Sequence, residues 1–383
     1  MKKIAIIGGG ISGLYIANLL RQNSSYEIML YEKNNSINLE KGYGIQLSVN
    51  SIQLLNKIGF QSINLENKFY PDNLDFYSLK NKKKICDLDI SVFNTNEAKY
   101  TTLQRFTLID FLKKRLPDNL INYNKKVTQV NYETETIEVI FENNTSIKCD
   151  YLIISDGTFS KTKSLIAKKE INPKYFNSIA LRATIEKDHL KEINPKNISL
   201  SLGSNLHSVS YPINNSNQFN FVSIFRKKLT KKELSDYSLF ENEDFISSIL
   251  SEISKQIDLD IVKNLKDIRC FPIFVSSEVY HPTNKNTFLI GDAFFTFPPT
   301  FAQGASQSIE VAHEIYKNLD NETNQFNDKR IKRTKMINIK SKFNYFAFHL
   351  SNPLIIWIRN ILMSYLVKNK KFINNYLGRI YKN

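Results

Sequence analysis

Residues 2–32 read KKIAIIGGGISGLYIANLLRQNSSYEIMLYE, and the reading of this stretch decides the fold class. Lys2–Gly8 holds a short β-rich run, IAII, that ends in glycines. Ile11–Gln22 sets Leu14, Ala17, Leu19 and Leu20 at helical spacing. Asn23-Ser24-Ser25 marks a turn, and Glu27–Glu32 is a second strand. Strand, helix and strand within about 30 residues make one nucleotide-binding unit.

The turn between the first strand and the helix is Gly8-Gly9-Gly10-Ile11-Ser12-Gly13, a GxGxxG pattern. Gly8 permits the tight turn, Gly10 lets the backbone approach a pyrophosphate, and Gly13 lets helix and strand pack closely. The helix N-terminus offers free N–H groups and a partial positive charge to phosphates. Glu32 ends the second strand, 19 residues beyond Gly13. A carboxylate there accepts hydrogen bonds from ribose hydroxyls and repels a 2′-phosphate, which points to FAD or NAD at this site and against NADP.

The rest of the chain bounds the answer. With 383 residues, 42% of them hydrophobic, it has ample material for a large core. No signal peptide is apparent, and Cys86, Cys149 and Cys270 show no CxxC spacing, so a cytoplasmic setting is expected. No apolar run reaches the length of about 20 residues that spans a bilayer. Pro353–Val367 comes nearest and is expected to be a packed helix, with peripheral membrane contact as the alternative. The net charge of +15 comes from lysines scattered through an asparagine-rich chain. Nucleic acid is therefore not an expected partner, and the basic cluster Lys329–Lys342 is assigned to a solvated helical face.

Residues 98–115 look helical, 126–155 read as strands, and about 175–275 alternate apolar with polar residues as an antiparallel sheet does. Thr287–Ile290 is another short buried strand, and from Gly304 onward the pattern is helical. The fold class is α/β. A Rossmann-type FAD-binding domain is expected over residues 1–70, 98–170 and 280–325, with a mainly antiparallel substrate domain at 71–97 and 171–279 and a helical region at 326–383.

Two further glycine-aspartate signatures lie downstream. Asp150–Ser160 is a buried strand running into Asp156-Gly157, and Phe288–Ala293 runs into Gly291-Asp292, followed by Pro298, Pro299 and Ala302–Gln307. With these motifs the chain resembles the single-component FAD-dependent aromatic-ring hydroxylases, the salicylate and p-hydroxybenzoate hydroxylase family. The similarity extends through Gly42–Asn50, Gln104-Arg105 and Tyr211-Pro212. The stretch Gly304–Glu310 is most similar to the salicylate hydroxylase branch.

The resemblance implies FAD as cofactor, NAD(P)H as transient reductant, O₂ as co-substrate and a small, aromatic or otherwise unsaturated substrate. Hydroxylation would proceed through a flavin C4a-hydroperoxide. Asp292 would bond the ribityl chain, and Arg105 would contact its ribityl and phosphate region. Asp156 and Gly157 belong to the stretch associated with both FAD and NAD(P)H. A cap on the following turn is a competing role for Asp156. The turn Pro298–Gly304 would aim a helix N-terminus at the flavin pyrimidine ring, where reduced flavin carries negative charge. The implied cofactor-contacting set is Gly8, Gly10, Ile11, Ser12, Gly13, Glu32, Lys33, Gly44, Ile45, Arg105, Asp156, Gly157, Gly291, Asp292, Pro299, Gly304 and Ala305.

Chemistry of this kind is carried by the cofactor and needs no nucleophile or metal from the protein. The sequence shows neither a Ser/His/Asp arrangement nor ligand-spaced His and Cys. Phe294-Phe295 replaces the Ala-His of many relatives and suggests a more apolar surrounding or a different pocket wall, while Lys163 stands where an arginine is usual. Tyr211, Arg182, His207 and Phe221 are candidate pocket residues, each with ordinary sheet packing as the competing reading. No catalytic base is assigned. The alternatives are a flavin epoxidase, quinone-pathway hydroxylase or double-bond reductase on an isoprenoid-like substrate, or a flavin-binding protein without turnover.

Overall fold

Strands Lys2–Ile7, Tyr26–Tyr31, Tyr151–Ile154 and Thr287–Leu289 are short, rich in isoleucine and leucine, and mostly buried on both faces. That composition suits a parallel sheet covered on each side. With Ile121–Asn122 they form a five-stranded parallel sheet, in the order Thr287–Leu289, Tyr151–Ile154, Lys2–Ile7, Tyr26–Tyr31, Ile121–Asn122. Ile7 pairs with Ile154, and Ile154 with Leu289. The three strands therefore end at one level, and the loops that follow all emerge at the same sheet edge. The computed structural model describes residues 1–37, 43–191, 193–214, 217–319 and 324–381, without the side chains of 324–327. Gly42, part of the family-like stretch, lies outside the described residues.

Local geometry makes that convergence tight. Gly8 has φ +105°, and a Cβ there would lie 2.6 Å from the Ser155 carbonyl oxygen. A Cβ on Gly13 would lie 2.0 Å from the Gly8 carbonyl oxygen. The Ser155 hydroxyl sits between the carbonyls of Ile7 and Gly8, at 2.8 and 2.9 Å. The first two strand-to-loop junctions are thus pressed together with room for hydrogen only.

The second large sheet has seven strands, in the order Lys266–Val275, Lys174–Glu186, Gln218–Arg226, Leu206–Pro212, Ile198–Leu202, Asn73–Ser78, Lys84–Asp89. All neighbours are antiparallel except Ile198–Leu202 beside Asn73–Ser78. The period of two divides its faces. Ile179, Leu181, Ala183, Phe219, Phe221 and Phe225 pack on one side with Ile249 and Ile253 of the helix Glu243–Ile253. Ala180, Arg182, His207, Val209, Tyr211, Val222 and Ile224 line a cavity on the other.

Several expectations are corrected. Residues 98–115 are not one helix: Thr101–Gln104 is a strand paired with Gly44–Leu47, and the helix runs Arg105–Lys114. The β-branched pair Thr101-Thr102 favours pleated backbone. Residues 231–263 interrupt the sheet with three helices, Lys231–Ser235, Glu243–Ile253 and Leu259–Lys263. They are capped by Thr230, Asn242 and Asp258. The Lys329–Lys342 cluster is not wholly solvated. Arg330 is buried and donates to Glu310 Oε1 at 2.6 Å, and Arg333 also grips Glu310, with 2.7 Å to Oε2. Pro353–Leu366 is a helix packed on one face only: Arg359 is buried and Met363 lies against the main core, while Leu354, Trp357 and Tyr365 are exposed.

Gly8→Ala should cost more than about 2 kcal/mol, through the left-handed φ and the contact with Ser155. Urea denaturation of the cofactor-free protein measures this, and an unchanged midpoint would contradict the packing argument.

Candidate functional site

The glycine-rich turn, Ser155–Gly157 and Gly291-Asp292 meet at the shared sheet edge. Gly291 has φ +61°, and a Cβ there would lie 2.4 Å from Ser12 Oγ, so the third motif touches the first helix directly. Glu32 is almost fully buried. Its Oε2 accepts from Gly9 N at 2.8 Å and its Oε1 from Asn34 N at 3.0 Å, which fixes the glycine loop. Ser12 is buried, Ile11 half-buried and Lys33 exposed beside this loop.

Three other glycines behave in the opposite way. A Cβ on Gly10, Gly157 or Gly304 would meet no atom within 4 Å. Each faces open space, although Gly8, Gly13 and Gly291 close by are crowded. An elongated cradle free of side chains at such points is what a dinucleotide needs.

Asp156 Oδ2 accepts from Thr162 N at 3.2 Å, so this carboxylate does hold the start of the helix Lys161–Ala167. Its Oδ1 is buried and has no partner, an acceptor left over after the cap is made. Thr158 donates to Asp292 Oδ2 at 3.4 Å. The Thr296 hydroxyl lies 3.1 Å from the Asp292 carbonyl oxygen and 3.2 Å from Thr158 Oγ1. Burial raises the Asp292 carboxyl, and Thr158, Arg105 and Lys163 oppose that shift.

Lys163, seven residues after Asp156, is buried and donates to the Ala293 carbonyl at 3.0 Å. Burial lowers its pKa, while Asp156 and Asp292 pull it up. It therefore ties the second motif to the third. The sequence showed it only as a replacement for arginine, and its spacing from Asp156 was the available signal. Arg105 is open to solvent, yet surrounding protein lowers its pKa, Arg182 lowers it further and Asp292 raises it. Arg105 is thus a cation within electrostatic reach of both groups.

Beyond Asp292 a cavity of about 870 Å³ opens beneath the seven-stranded sheet. Gly44, Ile45, Thr158, Asp292, Pro299, Gly304 and Ala305 line one end. Gly44 is held there by Asn220, whose Oδ1 accepts from Gly44 N at 2.8 Å, and by Arg182, which donates to Gly44 O at 3.2 Å. The helix Gly304–Asn318 begins at this end. Gln303 precedes it without a side-chain cap, so first-turn N–H groups are available to a ligand. Pro299 is exposed, on the outer turn of the loop.

Arg182, His207 and Tyr211 line the chamber, whereas Phe221 does not: alternation turns it to the helix-covered face. Phe294 and Phe295 are also not pocket wall. They pack with Ile7, Ile154 and Leu289 in the core beside the parallel sheet. Phe297 and Pro298, just after them, reach the cavity. Burial holds the Tyr211 phenol up at about 12, against Arg182 and Gln46. Asp292 is the one carboxylate among the described lining residues, and among the described residues no cluster of metal-ligating side chains occurs.

The geometry defines a flavoprotein, with a cradle for a dinucleotide and a separate chamber at its far end. The residues fit FAD: three glycines face open space, and an unpartnered buried acceptor lies beside them. A family model described as "FAD binding domain" matches residues 1–333. The chain belongs to this family, within which it groups with the FAD-dependent monooxygenases of the aromatic-ring hydroxylase type. Salicylate hydroxylase of Pseudomonas putida is 22% identical over 338 residues, which cover 81% of this chain and 75% of that protein. 3-Amino-4-hydroxybenzoate 2-monooxygenase of Streptomyces platensis is 23% identical over 315 residues, covering 81% and 77%. Some matches are shorter: with 6-hydroxynicotinate 3-monooxygenase of Pseudomonas fluorescens the 191 aligned residues span 49% of either chain. Among solved structures, Klebsiella pneumoniae HpxO complexed with FAD and uric acid superposes with TM-score 0.82 at 16% identity, covering 98% of this chain and 96% of that one. A salicylate hydroxylase substrate complex gives 0.78 at 17% identity, covering 100% and 95%. The p-hydroxybenzoate hydroxylase-like fold and the FAD cofactor follow.

One wall of the chamber carries a titratable pair. His207 Nδ1 lies 2.8 Å from His349 Nε2, which is also 3.2 Å from the Ile224 carbonyl. Burial, then Arg226, presses His349 down to about 3, opposed by Ile224. Burial and His349 hold His207 well below its ordinary value. The unfolded chain protonates these rings below about pH 6.5, while the folded protein refuses the protons. Stability present above pH 6.5 is therefore lost as pH falls toward 3. At pH 5 the loss from His349 alone is about 2 kcal/mol. Urea midpoints at pH 7 and pH 5 measure it, and His349→Gln should flatten the difference.

Proposed function

We propose that the protein is an NAD(P)H- and FAD-dependent monooxygenase that hydroxylates a small aromatic or related unsaturated compound. The observation that carries this reading is the chamber of about 870 Å³ that joins the Asp292 and Gly304 end of the cradle to the face of the seven-stranded sheet. Bound FAD, reduced by NAD(P)H, supplies the activation of O₂ and the transfer of one oxygen atom to an electron-rich carbon. The protein supplies place, dryness and charge.

In this reading Gly8, Gly10, Ile11, Ser12 and Gly13 hold the pyrophosphate, and Glu32 and Lys33 the adenosine end. Arg105, Asp156, Gly157, Gly291 and Asp292 hold the central phosphate and ribityl region. Gly44, Ile45, Pro299, Gly304 and Ala305 surround the ring system. The N-terminus of the helix Gly304–Asn318 would stabilise negative charge on the ring system of bound FAD. Residues 1–70, 98–170 and 280–325 serve as the cofactor domain, 71–97 and 171–279 as the substrate domain, and 326–383 as a helical cover. A reducing, cytoplasmic setting suits the buried thiols of Cys86, Cys149 and Cys270.

Arg182 offers an anionic or strongly polar substituent its partner at the flavin end, and Tyr211 adds a phenol donor. His207 is neutral and buried, so it orients and does not act as a cation. The apolar walls exclude water from the end of the chamber where FAD would react.

Gly10→Val tests the cradle. The side chain would enter open space, so the apoprotein's melting temperature should change by no more than about 2 °C. FAD affinity, read by flavin fluorescence titration, should fall at least about tenfold. Normal FAD affinity in this variant would remove the glycine turn from the cofactor site.

A screen of aromatic compounds, following NAD(P)H oxidation with peroxide measured alongside, tests the activity. A true substrate gives oxidation without matching peroxide, and Arg182→Ala should raise its KM about tenfold or more with a smaller change in kcat. FAD-loaded protein that oxidises no NAD(P)H with any compound would favour a flavin-binding protein without turnover. A second reading, an epoxidase or hydroxylase on a long isoprenoid-like substrate, is favoured by one feature: the cavity continues past the flavin end along Phe346, Leu350, Leu362 and Met363.

A further inference from the structure

The helix Pro353–Leu366 has one charged residue, Arg359, and that residue points inward. Arg359 donates to the Ala347 carbonyl at 3.0 Å and to Asn360 Oδ1 at 2.8 Å. The outward face is uncharged. Leu354, Trp357, Ile358, Ile361, Leu362 and Tyr365 are between 43% and 70% exposed along it. Ile339, Phe343 and Phe346 of the neighbouring helix Asn324–Phe348 are 59–67% exposed and extend the row. Single exposed apolar residues are ordinary, but a contiguous row on two helices is not.

Lysines border this row. Beside Trp357, Ile361 and Tyr365 lies a groove of about 470 Å³ that Lys83, Lys84 and Lys368 also line. Lys84 there is held by Asp75 at 2.9 Å and Asp87 at 3.4 Å. Lys370 and Lys371, a few residues beyond the helix, are exposed. A tryptophan and a tyrosine on an apolar face with lysines at its rim match the interfacial zone of an anionic bilayer. A second copy of the chain is the poorer fit, because each copy carries +15 and would bring like lysine rims together. The helix has 14 residues, and no described helix is long and apolar enough to cross a membrane, so the contact is parallel to the surface.

The same residues form the mouth of the chamber. Phe343, Phe346, Ile355, Ile358 and Leu362 are exposed and also line the 870 Å³ cavity. We propose that the face formed by Pro353–Leu366 and the end of Asn324–Phe348 docks on anionic lipid bilayers, placing the mouth of the chamber against the lipid phase. An apolar substrate would then enter without crossing water; that consequence rests on the monooxygenase reading, whereas the docking does not.

Trp357 is the chain's only tryptophan, so it reports docking directly. The FAD-loaded protein is mixed with vesicles of phosphatidylcholine, with and without phosphatidylglycerol. The expected result is co-sedimentation and a blue shift of tryptophan emission with the anionic vesicles, weakened by salt. Brominated acyl chains should quench Trp357. The variant Trp357→Phe with Phe346→Trp moves the reporter to the mouth, and quenching there should persist. Leu354→Glu with Ile361→Glu should lower vesicle partitioning more than about tenfold while FAD content stays unchanged. No shift and no co-sedimentation would overturn the proposal. So would a dimer in sedimentation velocity that the same double variant dissociates, which would assign the face to a second copy. FAD content is measured in each sample, so loss of docking is distinguished from failure of the flavoprotein reading.

Discussion

The close approach of three strand ends is the constraint on which the rest of the molecule depends. Parallel pairing brings Ile7, Ile154 and Leu289 to one level, and segments far apart in the chain then leave the sheet at a single edge. A side chain on Gly8 or Gly13 would force the first two junctions apart, and one on Gly291 would push the third away from Ser12. The contacts are made by backbone and by the small side chains of Ser12 and Ser155, so they position peptide groups. Such a surface can lie flat against a long polar ligand, and the open space in front of Gly10, Gly157 and Gly304 is its complement.

Around this edge a few charges are held at a cost. Lys163 and Asp292 are desolvated, and the attraction of Lys163 to the carboxylates of Asp292 and Asp156 offsets part of that penalty. Lys163 does two things at once. Its ammonium group satisfies the Ala293 carbonyl just after Gly291-Asp292, and its charge stabilises both carboxylates. An arginine could carry the same charge, but its planar fork would need a wider space than one carbonyl provides. The leftover acceptor on Asp156 shows that the network is complete as a scaffold and open as a site.

The parts legible in the sequence are those with a local cause. The glycine turn, Glu32 and the short buried strands follow from backbone sterics and from period, and the structure has them where the sequence placed them. The three-motif site was legible because each motif carries its own signature. What escaped was decided by distant partners. Thr101–Gln104 is a strand because Gly44–Leu47 lies beside it, and nothing within residues 98–115 reports that neighbour. Phe221 and Val222 look equally suited to a pocket, but the register with Ala183 and Arg182 sends them to opposite faces. Of the two readings that Phe294-Phe295 left open, the apolar surrounding is the one the structure has: they pack in the core beside the sheet and not on the pocket wall. Arg330 could not be told from its lysine neighbours without Glu310 opposite it.

That last pair bears on the chemistry of the site as well as on its stability. Glu310 sits two turns into the helix whose N-terminus faces the chamber, and it is buried. An uncompensated carboxylate at that depth would oppose the positive end of the helix dipole in a medium that screens poorly. Arg330 and Arg333 neutralise it, Asn50 donates to its Oε2 at 2.9 Å, and Gln307 adds a contact at 3.1 Å. Arg333 also holds the carbonyls of Arg379 and Ile380, so the C-terminal segment is tied to the same carboxylate. Thr300 and Asn344 fasten the preceding loop to the helix Asn324–Phe348, through Ser341 O at 2.6 Å and Thr300 O at 3.4 Å. The helices at the end of the chain therefore maintain the field at the Gly304 end of the chamber. Their buried face anchors the loop from Pro298 to Gly304, and their exposed face is left free to meet something other than this protein.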